Sequence, residues 1–579
     1  MTYVDNGSVA AVFSRMADLM EIQGANAFRI RAFRRVAQAL ENLSEGVAAM
    51  LEDGTLKEVP GIGDGTIKRI REIIDTGTCD DLVQLSSELP PGLFEMLQVS
   101  GLGPKKVKLF YDELGISSID ELEAAARAGD LAKLPRMGKT SQDKLLGEID
   151  TYRRRTGRIA LGDALPQGWA IVEALQEEKA VERIDLAGSC RRGRETIGDL
   201  DVLVASRQVE PVMDRFVSLA QVAEVMLRGE TKCSVRLHSG LQVDLRVLLP
   251  ESYGAAMHYF TGSQMHNIAI RDRAKRAGLR INEYGVYTEP AGERVSGATE
   301  EEVFAAVGLP FIPPELRENR GEIEAAERDE LPEPLSRGDL RGDLHVPVQL
   351  AADEGGGAAI DVPALIEAAK AEGLSYLGLV LPIDDTTTAA AIEAHRERVR
   401  ELEQTHGFAL LAAIDAPLDG EGAVQAPTEL DLGEASDWVF GSVRSQLTMA
   451  TEEMTARVIA ALESGVIDCL AHPSGRLLGK REATALDLDA LLAAAQRTGV
   501  ALELDGHPLR LDLDANHCRR AHELSVPVVI GGEAKSGEEL ALHLELAIRT
   551  ARRGWLETKD VLNCGDVAAL KNWRRSRRR

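Results

Sequence analysis

The sequence predicts a multidomain protein of the α and α/β classes, and three observations support this. The chain has 579 residues, which is enough for several domains. The first 150 residues read as helical and contain two turns of the pattern Gly-x-Gly. Short apolar strands follow, and after residue 338 strands alternate with Ala-rich helices, as in a β/α barrel. We therefore expect a helical N-terminal part, a central α/β part and a C-terminal barrel.

The two glycine turns are V-P-G-I-G at residues 59–63 and V-S-G-L-G at residues 99–103, and each leads into a basic segment. Both resemble the turns of helix-hairpin-helix units. Such a turn presents backbone N–H groups to a DNA phosphate without reading the base. The resemblance implies DNA contacts at Gly61, Gly63, Gly101, Gly103, Lys105 and Lys106. A third version at residues 134–138 has Arg136 in place of the first glycine, so we expect a weaker phosphate contact there.

The central part contains two aspartates, one residue apart, on a predicted strand. Asp199 and Asp201 follow a Gly-Ser turn within residues 188–204, and Asp244 lies in another short apolar strand. Alternation along a strand puts Asp199 and Asp201 on one face. Carboxylate oxygens are hard ligands that suit Mg²⁺. The pattern predicts a magnesium site for two ions with Asp199, Asp201 and Asp244 as its ligands, and with Mn²⁺ as an alternative.

These residues resemble the palm of family X DNA polymerases, in the nucleotidyltransferase superfamily. The match continues through Y-G-A-A-M-H-Y-F-T-G-S at 253–263, H-N-I-A-I-R at 266–271 and I-N-E-Y-G-V at 281–286, in the family's order. The resemblance implies that Asp199 and Asp201 hold both metal ions, and that Asp244 activates the primer 3′-hydroxyl. It also implies a preference for deoxynucleotides, because Gly262 matches the backbone beside a ribose 2′-hydroxyl.

The same resemblance assigns two further groups of residues. Those matched to nucleotide binding are Gly188, Ser189, Arg192, Tyr259, Phe260, Gly262 and Asn267; those matched to template contact and closure of the site are Arg246, Arg271 and Glu283. In relatives that excise sugar phosphates, a lysine after the first hairpin forms a Schiff base. Arg69 takes that position here, and a guanidinium cannot act as the amine nucleophile. We expect no strong lyase activity, with Lys68 left open as a substitute.

Composition places limits on the environment and partners. The formal charge is −26 and the pI is near 5.0, opposite to the usual balance of a DNA-binding protein. Basic residues nevertheless cluster locally, and we interpret the acidic remainder as a hypothesis of a salt-rich host. We find no apolar run of membrane-spanning length and expect a cytoplasmic, nucleoid-associated monomer without membrane contact. The six scattered cysteines favour reduced thiols over disulfides.

The C-terminal part resembles the PHP domain, a metal-dependent phosphoesterase barrel that follows the thumb in many bacterial family X enzymes. The matching pieces are G-D-L-H-V from residue 342, D-W-V-F-G-S-V from 437, A-H-P-S-G-R-L-L-G-K-R from 471 and P-L-R-L-D-L from 508. Most of the family's metal ligands are replaced. His345 and His472 remain, while the replaced positions carry Pro347, Leu381, Pro382, Asp415, Arg444, Glu533 and Lys535.

The resemblance implies a distorted β/α barrel, and these replacements predict that it lacks bound metals and 3′-5′ exonuclease or phosphatase activity. Proline offers no ligand atom, and cations repel divalent ions. We expect Asp415 and Glu533 to pair with Arg444 or Lys535, and His345 and His472 to act through hydrogen bonds. The remaining histidines of this part are expected mostly on the surface: His395, His406, His507, His517, His522 and His543.

The leading hypothesis is a template-directed DNA polymerase that acts on gapped or primer-template DNA with dNTPs, filling short gaps in base excision or end-joining repair. One alternative is a nucleotidyltransferase that works without a template or on another acceptor; another is a DNA-binding repair scaffold with residual catalysis. The expected divisions are a lyase-like DNA-binding domain at 1–85, a fingers-like region at 86–155, the palm at 156–260, the thumb at 261–318, a linker at 319–337, the PHP-like domain at 338–573 and a solvated basic tail at 574–579.

Overall fold

The computed structural model describes residues 6–41, 43, 47–76, 79–87, 89–90, 92–97, 99, 101–134, 137–156, 158–348, 360–478, 481 and 483–578. The chain divides into two compact units, Met1–Gly157 and Arg158–Arg579. The first unit is helical and the second contains the sheets. The multidomain α and α/β prediction is confirmed.

The described part of the N-terminal unit has helices around two large apolar cores and a smaller third one. One large core is centred on Phe13 and Leu40, and the other on Phe110 and Leu122. Helices of this length are stabilised mainly by packing of one apolar face. The described helices are α1 Asn6–Ile22, α2 Ala27–Glu41, α3 Val47–Glu52, α4 Asp64–Thr76, α5 Asp80–Ser87, α6 Gly92–Met96, α7 Pro104–Leu114, α8 Ile119–Ala128 and α9 Lys139–Thr156.

The second unit begins with a five-stranded sheet that carries the predicted palm. The order of the sheet is β2-β4-β7-β6-β5; β4 and β7 are parallel and the other neighbours are antiparallel. Its elements are β1 Ile159–Ala160, α10 Leu161–Gln176, β2 Arg183–Leu186, α11 Gly188–Arg191, β3 Thr196–Ile197, β4 Asp199–Ala205, α12 Val209–Val217, β5 Val222–Arg228, β6 Lys232–Leu237 and β7 Gln242–Leu248.

The predicted thumb combines helices with a small antiparallel sheet of order β10-β9-β8. Its elements are α13 Tyr253–Thr261, α14 Gln264–Arg276, β8 Leu279–Asn282, β9 Gly285–Thr288, β10 Arg294–Ser296 and α15 Glu300–Ala306. The segment expected as a linker contains α16, Glu322–Glu327, which packs against the thumb. Its buried Glu322 lies 2.7 Å from His266 Nδ1.

A seven-stranded parallel sheet, ordered β11 to β17 along the chain, forms the nearly closed C-terminal barrel. Parallel neighbours require crossover connections, which the helices supply. The elements are β11 Gly342–Pro347, α17 Val362–Ala371, β12 Tyr376–Pro382, α18 Ala389–His406, β13 Ala409–Pro417, α19 Leu432–Ala435, β14 Trp438–Ser442, α20 Thr451–Glu463, β15 Cys469–Ala471, α21 Leu488–Thr498, β16 Ala501–Asp505, α22 Ala515–Leu524, β17 Val528–Gly531, α23 Gly537–Arg553 and α24 Val567–Arg577.

A buried side chain joins the first and last strands of the barrel. Asn563 is fully buried; its Nδ2 donates to the carbonyls of Gly342 on β11 (2.7 Å) and Ile530 on β17 (2.8 Å). Its Oδ1 accepts from the Ile530 N–H at 2.9 Å. These bonds satisfy backbone groups of β11 and β17 that would otherwise pair with a neighbouring strand. Asn563 therefore closes the seam between β11 and β17.

The basic end of the chain is not a solvated tail over its described part, so that expectation is wrong. Arg574, Arg577 and Arg578 all form ion pairs with Asp468, which is fully buried. A buried carboxylate requires partners, and these three guanidiniums supply them. A local count of charge could not reveal this distant anion.

No helix among the described residues is long and apolar enough to cross a membrane.

Candidate active site

The three aspartates singled out in the sequence lie on two neighbouring parallel strands. Asp199 and Asp201 lie on β4, and Asp244 on β7 is the register partner of Asp201. Leu200 and Val243, which alternate with them, are fully buried. Alternation therefore turns the three carboxylates to the opposite face of the sheet. The structure brings these predicted residues together on adjacent strands.

The three carboxylates differ in their pKa values. Burial raises the pKa of Asp201 to about 7, and the charges of Asp199 and Asp244 add to this increase. Burial and the charge of Asp244 also raise the pKa of Asp199. Burial favours neutral Asp244 too, but hydrogen bonds, first that of Lys232, outweigh it and lower its pKa. Lys232, which sequence reasoning missed, lies 2.7 Å from Asp244 Oδ2 and stabilises its ionised form.

The donor set fits a hard divalent cation. Among the described residues, no cationic side chain forms an ion pair with Asp199 or Asp201. Crowded carboxylates with raised pKa values are stabilised by a cation, which relieves their repulsion. Their oxygens are the ligands that Mg²⁺ and Mn²⁺ accept. Asp199 and Asp201 are thus the residues suited to hold metal, with Asp244 beside them.

Gly188 lies against the carboxylate of Asp201. Its φ is +62°, and a Cβ at this position would lie 2.2 Å from Asp201 Oδ2. Both the left-handed backbone and the close approach disfavour any residue with a side chain. The family resemblance matched Gly188 to nucleotide binding. The structure adds that Gly188 leaves room for Asp201.

Arg192, matched to nucleotide binding, is held between the palm and the thumb. Its Nη1 donates to the carbonyl of Thr261 at 2.7 Å, and its Nε lies 2.7 Å from Glu318 Oε1. Glu318 also pairs with Arg194 at 3.1 Å and Arg553 at 3.3 Å. Three guanidiniums around one carboxylate leave a net positive charge, which suits a polyanionic ligand. Ser189 lies half-buried in the preceding turn.

The predicted nucleotide-contact residues of α13 and the following turn form one packed group. Tyr259 and Phe260 meet edge to face, with ring centroids 5.1 Å apart, and the Arg246 guanidinium lies 4.4 Å from the Phe260 centroid. Asn267 Nδ2 donates to the carbonyls of Tyr259 at 2.7 Å and Gly262 at 3.2 Å. A Cβ on Gly262 would lie 2.4 Å from Asn267 Oδ1. Asn267 thus fixes the backbone of the turn.

The two remaining residues matched to template contact lie nearer the surface. Arg271 is exposed on α14, and its Nε donates to the carbonyl of Asn267 at 3.2 Å. Glu283 is half-buried in the turn between β8 and β9. Arg271 therefore has a charged group accessible beside the Asn267 turn.

The glycine turns of the N-terminal unit share one backbone geometry. Gly61 and Gly101 have φ values of +94° and +78°, which glycine adopts without strain. In each turn the N–H of the central residue, Ile62 or Leu102, donates 3.0 Å to the valine carbonyl three residues earlier. Lys105 and Lys106 are exposed at the start of α7, with Lys106 Nζ 2.8 Å from the carbonyl of Gly101.

The third turn has the same hydrogen bond, since the Met137 N–H donates to the Leu134 carbonyl at 3.1 Å. Arg136, on which the weaker phosphate contact was predicted, lies outside the described residues.

Comparisons with known proteins agree with this arrangement. Residues 256–318 match the family described as the DNA polymerase beta thumb, residues 4–79 a helix-hairpin-helix domain, and residues 94–150 a SAM-like helix-hairpin-helix tandem. A Bacillus subtilis (strain 168) protein, "DNA polymerase/3'-5' exonuclease PolX", is 33% identical over 564 residues, covering 96% of each chain. The chain belongs to the family X DNA polymerases. DNA polymerase lambda of Rattus norvegicus is also similar, at 23% identity over 52% of this chain and 54% of its own.

This family X polymerase is thus a DNA-directed DNA polymerase, and membership implies divalent metal ions, DNA and dNTPs as its ligands. The position matched to the lyase nucleophile is engaged elsewhere. Arg69 pairs with Asp81 at 2.6 Å and donates to the Gly65 carbonyl at 2.8 Å. Lys68 is exposed and lies 3.4 Å from Glu72.

The barrel of this polymerase contains a cavity of 340 Å³ at the carboxyl ends of its strands. His345, His472, Asp415, Arg444 and Glu533 all line it, so the structure brings the predicted cluster together. As expected, Arg444 pairs with Asp415, at 2.5 Å.

Glu533 pairs with His472 at 3.5 Å and with Arg510 at 3.4 Å. The expectation that Lys535 joins the cluster is wrong, because Lys535 is exposed and does not line the cavity.

Buried carboxylates hold both surviving histidines. His345 Nδ1 lies 2.5 Å from Glu503 Oε1, and His472 Nδ1 lies 3.1 Å from Asp505 Oδ2. Burial disfavours charged His345, but Glu503 outweighs it and raises the pKa to about 9. Among the described residues, the groups with three ligand atoms within 4.8 Å of one another include His345–His472–Glu533 and His472–Glu503–Asp505.

The expectation that the other histidines lie mostly at the surface is wrong, because two of the six are buried and the other four are half-buried. His395 and His543 are buried and contact backbone carbonyls, of Leu379 at 3.0 Å and of Gly532 respectively. Burial lowers the pKa of both. His522 pairs with Asp560 at 2.7 Å. Helix periodicity alone does not separate a buried, hydrogen-bonded histidine from a surface one.

Proposed function

We propose that the chain fills short gaps in DNA by template-directed transfer of a nucleotide from a dNTP to the primer 3′-hydroxyl, with two Mg²⁺ ions. The observation that carries this proposal is the register of Asp199, Asp201 and Asp244 on β4 and β7. When bound, the ions stabilise the attacking and leaving oxygens of an in-line displacement. We assign their binding to Asp199 and Asp201.

The residues around the carboxylates receive complementary roles. Ionised Asp244 accepts the proton of the primer 3′-hydroxyl while the hydroxyl oxygen bonds to the α-phosphorus and pyrophosphate leaves. The lowered pKa of Asp244 keeps its carboxylate ionised for this step. Arg192 and Ser189 bind the triphosphate, for which a planar guanidinium is suited. Tyr259 and Phe260 pack beside the sugar, and the turn at Gly262 disfavours a ribose 2′-hydroxyl.

Template use rests on a different set of contacts. Arg271 is exposed beside the Asn267 turn, and we assign it a contact with the minor groove of the new base pair. Arg246 and Glu283 are assigned to closure of the site. The glycine turns, with Lys105 and Lys106, bind phosphates on both sides of a gap. Their repeated backbone geometry supports two such contacts.

We further propose that the barrel has lost the 3′-5′ exonuclease activity that the Bacillus relative carries in its name. The family's ligand positions hold Arg444, paired with Asp415, and Pro347, which has no ligand atom. Glu533 is engaged by Arg510 and His472. The barrel then contributes structure rather than hydrolysis. Likewise, the pairing of Arg69 with Asp81 supports the absence of lyase activity.

One gel tests these assignments. A labelled primer beside a one-nucleotide gap is incubated with Mg²⁺ and each dNTP singly, following both extension and shortening. We expect addition only of the complementary nucleotide, no shortening, and no extension by Asp199→Ala. Asp214→Ala, an exposed palm aspartate paired with Arg228, is the matched control and should extend normally.

Each contrary outcome has a defined meaning. Addition of every nucleotide alike would favour the template-independent transferase. Shortening that persists in Asp199→Ala would show that the barrel hydrolyses DNA. Extension by Asp199→Ala at the wild-type rate would refute the metal assignment. Borohydride trapping of the protein on abasic DNA would contradict the loss of lyase activity and point to Lys68.

A further inference from the structure

The last long helix of the barrel, α23, packs against the palm. Leu546 on α23 and Leu511 from the loop between β16 and α22 belong to the apolar core of the palm sheet. A Cβ on Gly162 of α10 would lie 2.5 Å from the Pro508 Cβ, so the palm helix α10 and the barrel are in direct contact. The palm core is therefore completed by residues of the barrel.

Two arginines of α23 contact the turn that carries Ser189 and Arg192. Arg549 Nη1 donates to the Cys190 carbonyl at 3.3 Å. A Cβ on Gly193, whose φ is +67°, would lie 3.0 Å from the Arg549 Cβ. The helix thus lies against the backbone of this turn, which we call the triphosphate turn (residues 188–194).

Arg553 reaches Arg192 by two routes. Its Nη1 donates to the Arg192 carbonyl at 3.0 Å and lies 3.3 Å from Glu318 Oε1. The same Glu318 oxygen lies 2.7 Å from Arg192 Nε. The Arg553 side chain is only 6% exposed, so these contacts are shielded from solvent. One barrel residue therefore fixes both the backbone and the guanidinium of Arg192.

We propose that Arg553 is a positioning residue for nucleotide binding, through which the barrel supports the polymerase site. The proposal rests on the assignment of Arg192 to the triphosphate. Arg553 shares Glu318 with Arg192 and Arg194, which leaves positive charge for an incoming polyanion. Without Arg553, Glu318 neutralises Arg192 more fully and the turn loses a backbone contact. Both effects weaken dNTP binding more than they slow the chemical step.

The test compares KM for the dNTP and kcat on gapped DNA for Arg553→Ala, Arg553→Lys and Arg192→Ala. We expect Arg553→Ala to raise KM by about 10-fold with kcat within about 3-fold of wild type, because it removes ground-state positioning. Arg553→Lys keeps the charge but replaces the planar guanidinium by a shorter ammonium group, so KM should rise by about 3-fold. The affinity for DNA should not change.

Arg552→Ala is the matched control. Arg552 is the neighbouring residue of the same helix, and it pairs with Glu315 at 2.9 Å instead of contacting the triphosphate turn. A general loss of helix stability would affect both variants, whereas the proposal predicts a raised KM only for the Arg553 variants. An equal rise of KM in Arg552→Ala would overturn it.

Arg192→Ala distinguishes the proposed role of Arg553 from the assignment of Arg192 to the triphosphate. If Arg192→Ala raises KM and the Arg553 variants do not, the inference fails while the proposed function stands. If Arg192→Ala leaves KM unchanged, the triphosphate assignment itself is wrong, and the inference fails with it. If Arg553→Ala does not fold, Arg553→Lys decides: an unchanged KM in that variant would contradict the proposal.

Discussion

Gly188→Ala is the substitution that most directly tests the arrangement of the palm carboxylates. The added Cβ would lie 2.2 Å from Asp201 Oδ2, whereas ordinary van der Waals contacts begin near 3.4 Å. Either the Asp201 carboxylate or the turn must therefore move by about 1 Å. Misplacement of a reacting group by about 1 Å can cost about 100-fold in rate.

The substitution also carries a backbone penalty that must be separated from the displacement. Gly188 has a φ of +62°, and a left-handed residue with a Cβ costs roughly 1–2 kcal/mol. Gly240 has a φ of +87°, and a Cβ added there would meet no other atom within 4 Å, so Gly240→Ala carries the same strain without the contact. We expect Gly188→Ala to lose at least as much stability as Gly240→Ala, and only Gly188→Ala to lose activity.

The assay is single-turnover extension across a one-nucleotide gap at saturating dNTP, with thermal unfolding of each variant measured in parallel. We expect the rate of Gly188→Ala to fall by about 100-fold and that of Gly240→Ala to remain within about 3-fold of wild type. Wild-type rates in Gly188→Ala, or equal losses in both variants, would refute the argument that Gly188 sets the position of Asp201.

Three further predictions concern stability. Burial favours neutral Glu318, but Arg553 and Arg192 outweigh it and lower its pKa from 4.5 to about 2. The charge of Glu318 therefore stabilises the fold above pH 4.5, and this stabilisation is lost as pH falls towards 2. Glu318→Gln should lower Tm at pH 7, and the difference in Tm from wild type should become smaller below about pH 4. A difference in Tm that stays constant across a pH series of thermal melts would contradict this prediction. Asn563→Ala should lower the free energy of unfolding by about 2–4 kcal/mol in urea titrations, because buried backbone groups lose their partners; a change below about 0.5 kcal/mol would mean that the seam closes without it. Arg444→Ala should cost about 1–3 kcal/mol by leaving Asp415 unpaired, while Asp415→Asn with Arg444→Ala should recover part of that loss, which a double-mutant cycle measures.

The parts of the fold that could be predicted from the sequence are those encoded locally. The alternation of Asp199 and Asp201 with buried leucine and valine defines a strand face within seven residues. The glycine turns of the N-terminal unit likewise depend on backbone conformations that only a few neighbouring residues determine. The succession of strands and helices predicts the barrel for the same reason.

The remaining features depend on pairs that are far apart in the chain. Arg553 and Arg192 are separated by 361 positions, and Arg192 and Glu318 by 126. Neither Glu318 nor Arg553 lies in a motif, and each looks like an ordinary surface charge until the fold is known. The burial of His395 and the pairing of the C-terminal arginines with Asp468 were misjudged for the same reason. Charge and periodicity indicate exposure only where no distant partner exists.

The position of Asn563 after β17 determines when the barrel can close during synthesis. A ribosome makes every strand of the barrel, and all three palm aspartates, before it makes the side chain that joins β11 to β17. Helix α23, which supports the triphosphate turn, packs on β17 beside that seam. A chain released before Asn563 would carry all three palm aspartates on an open barrel. The seam therefore closes only after the palm, the seven barrel strands and α23 have all been made.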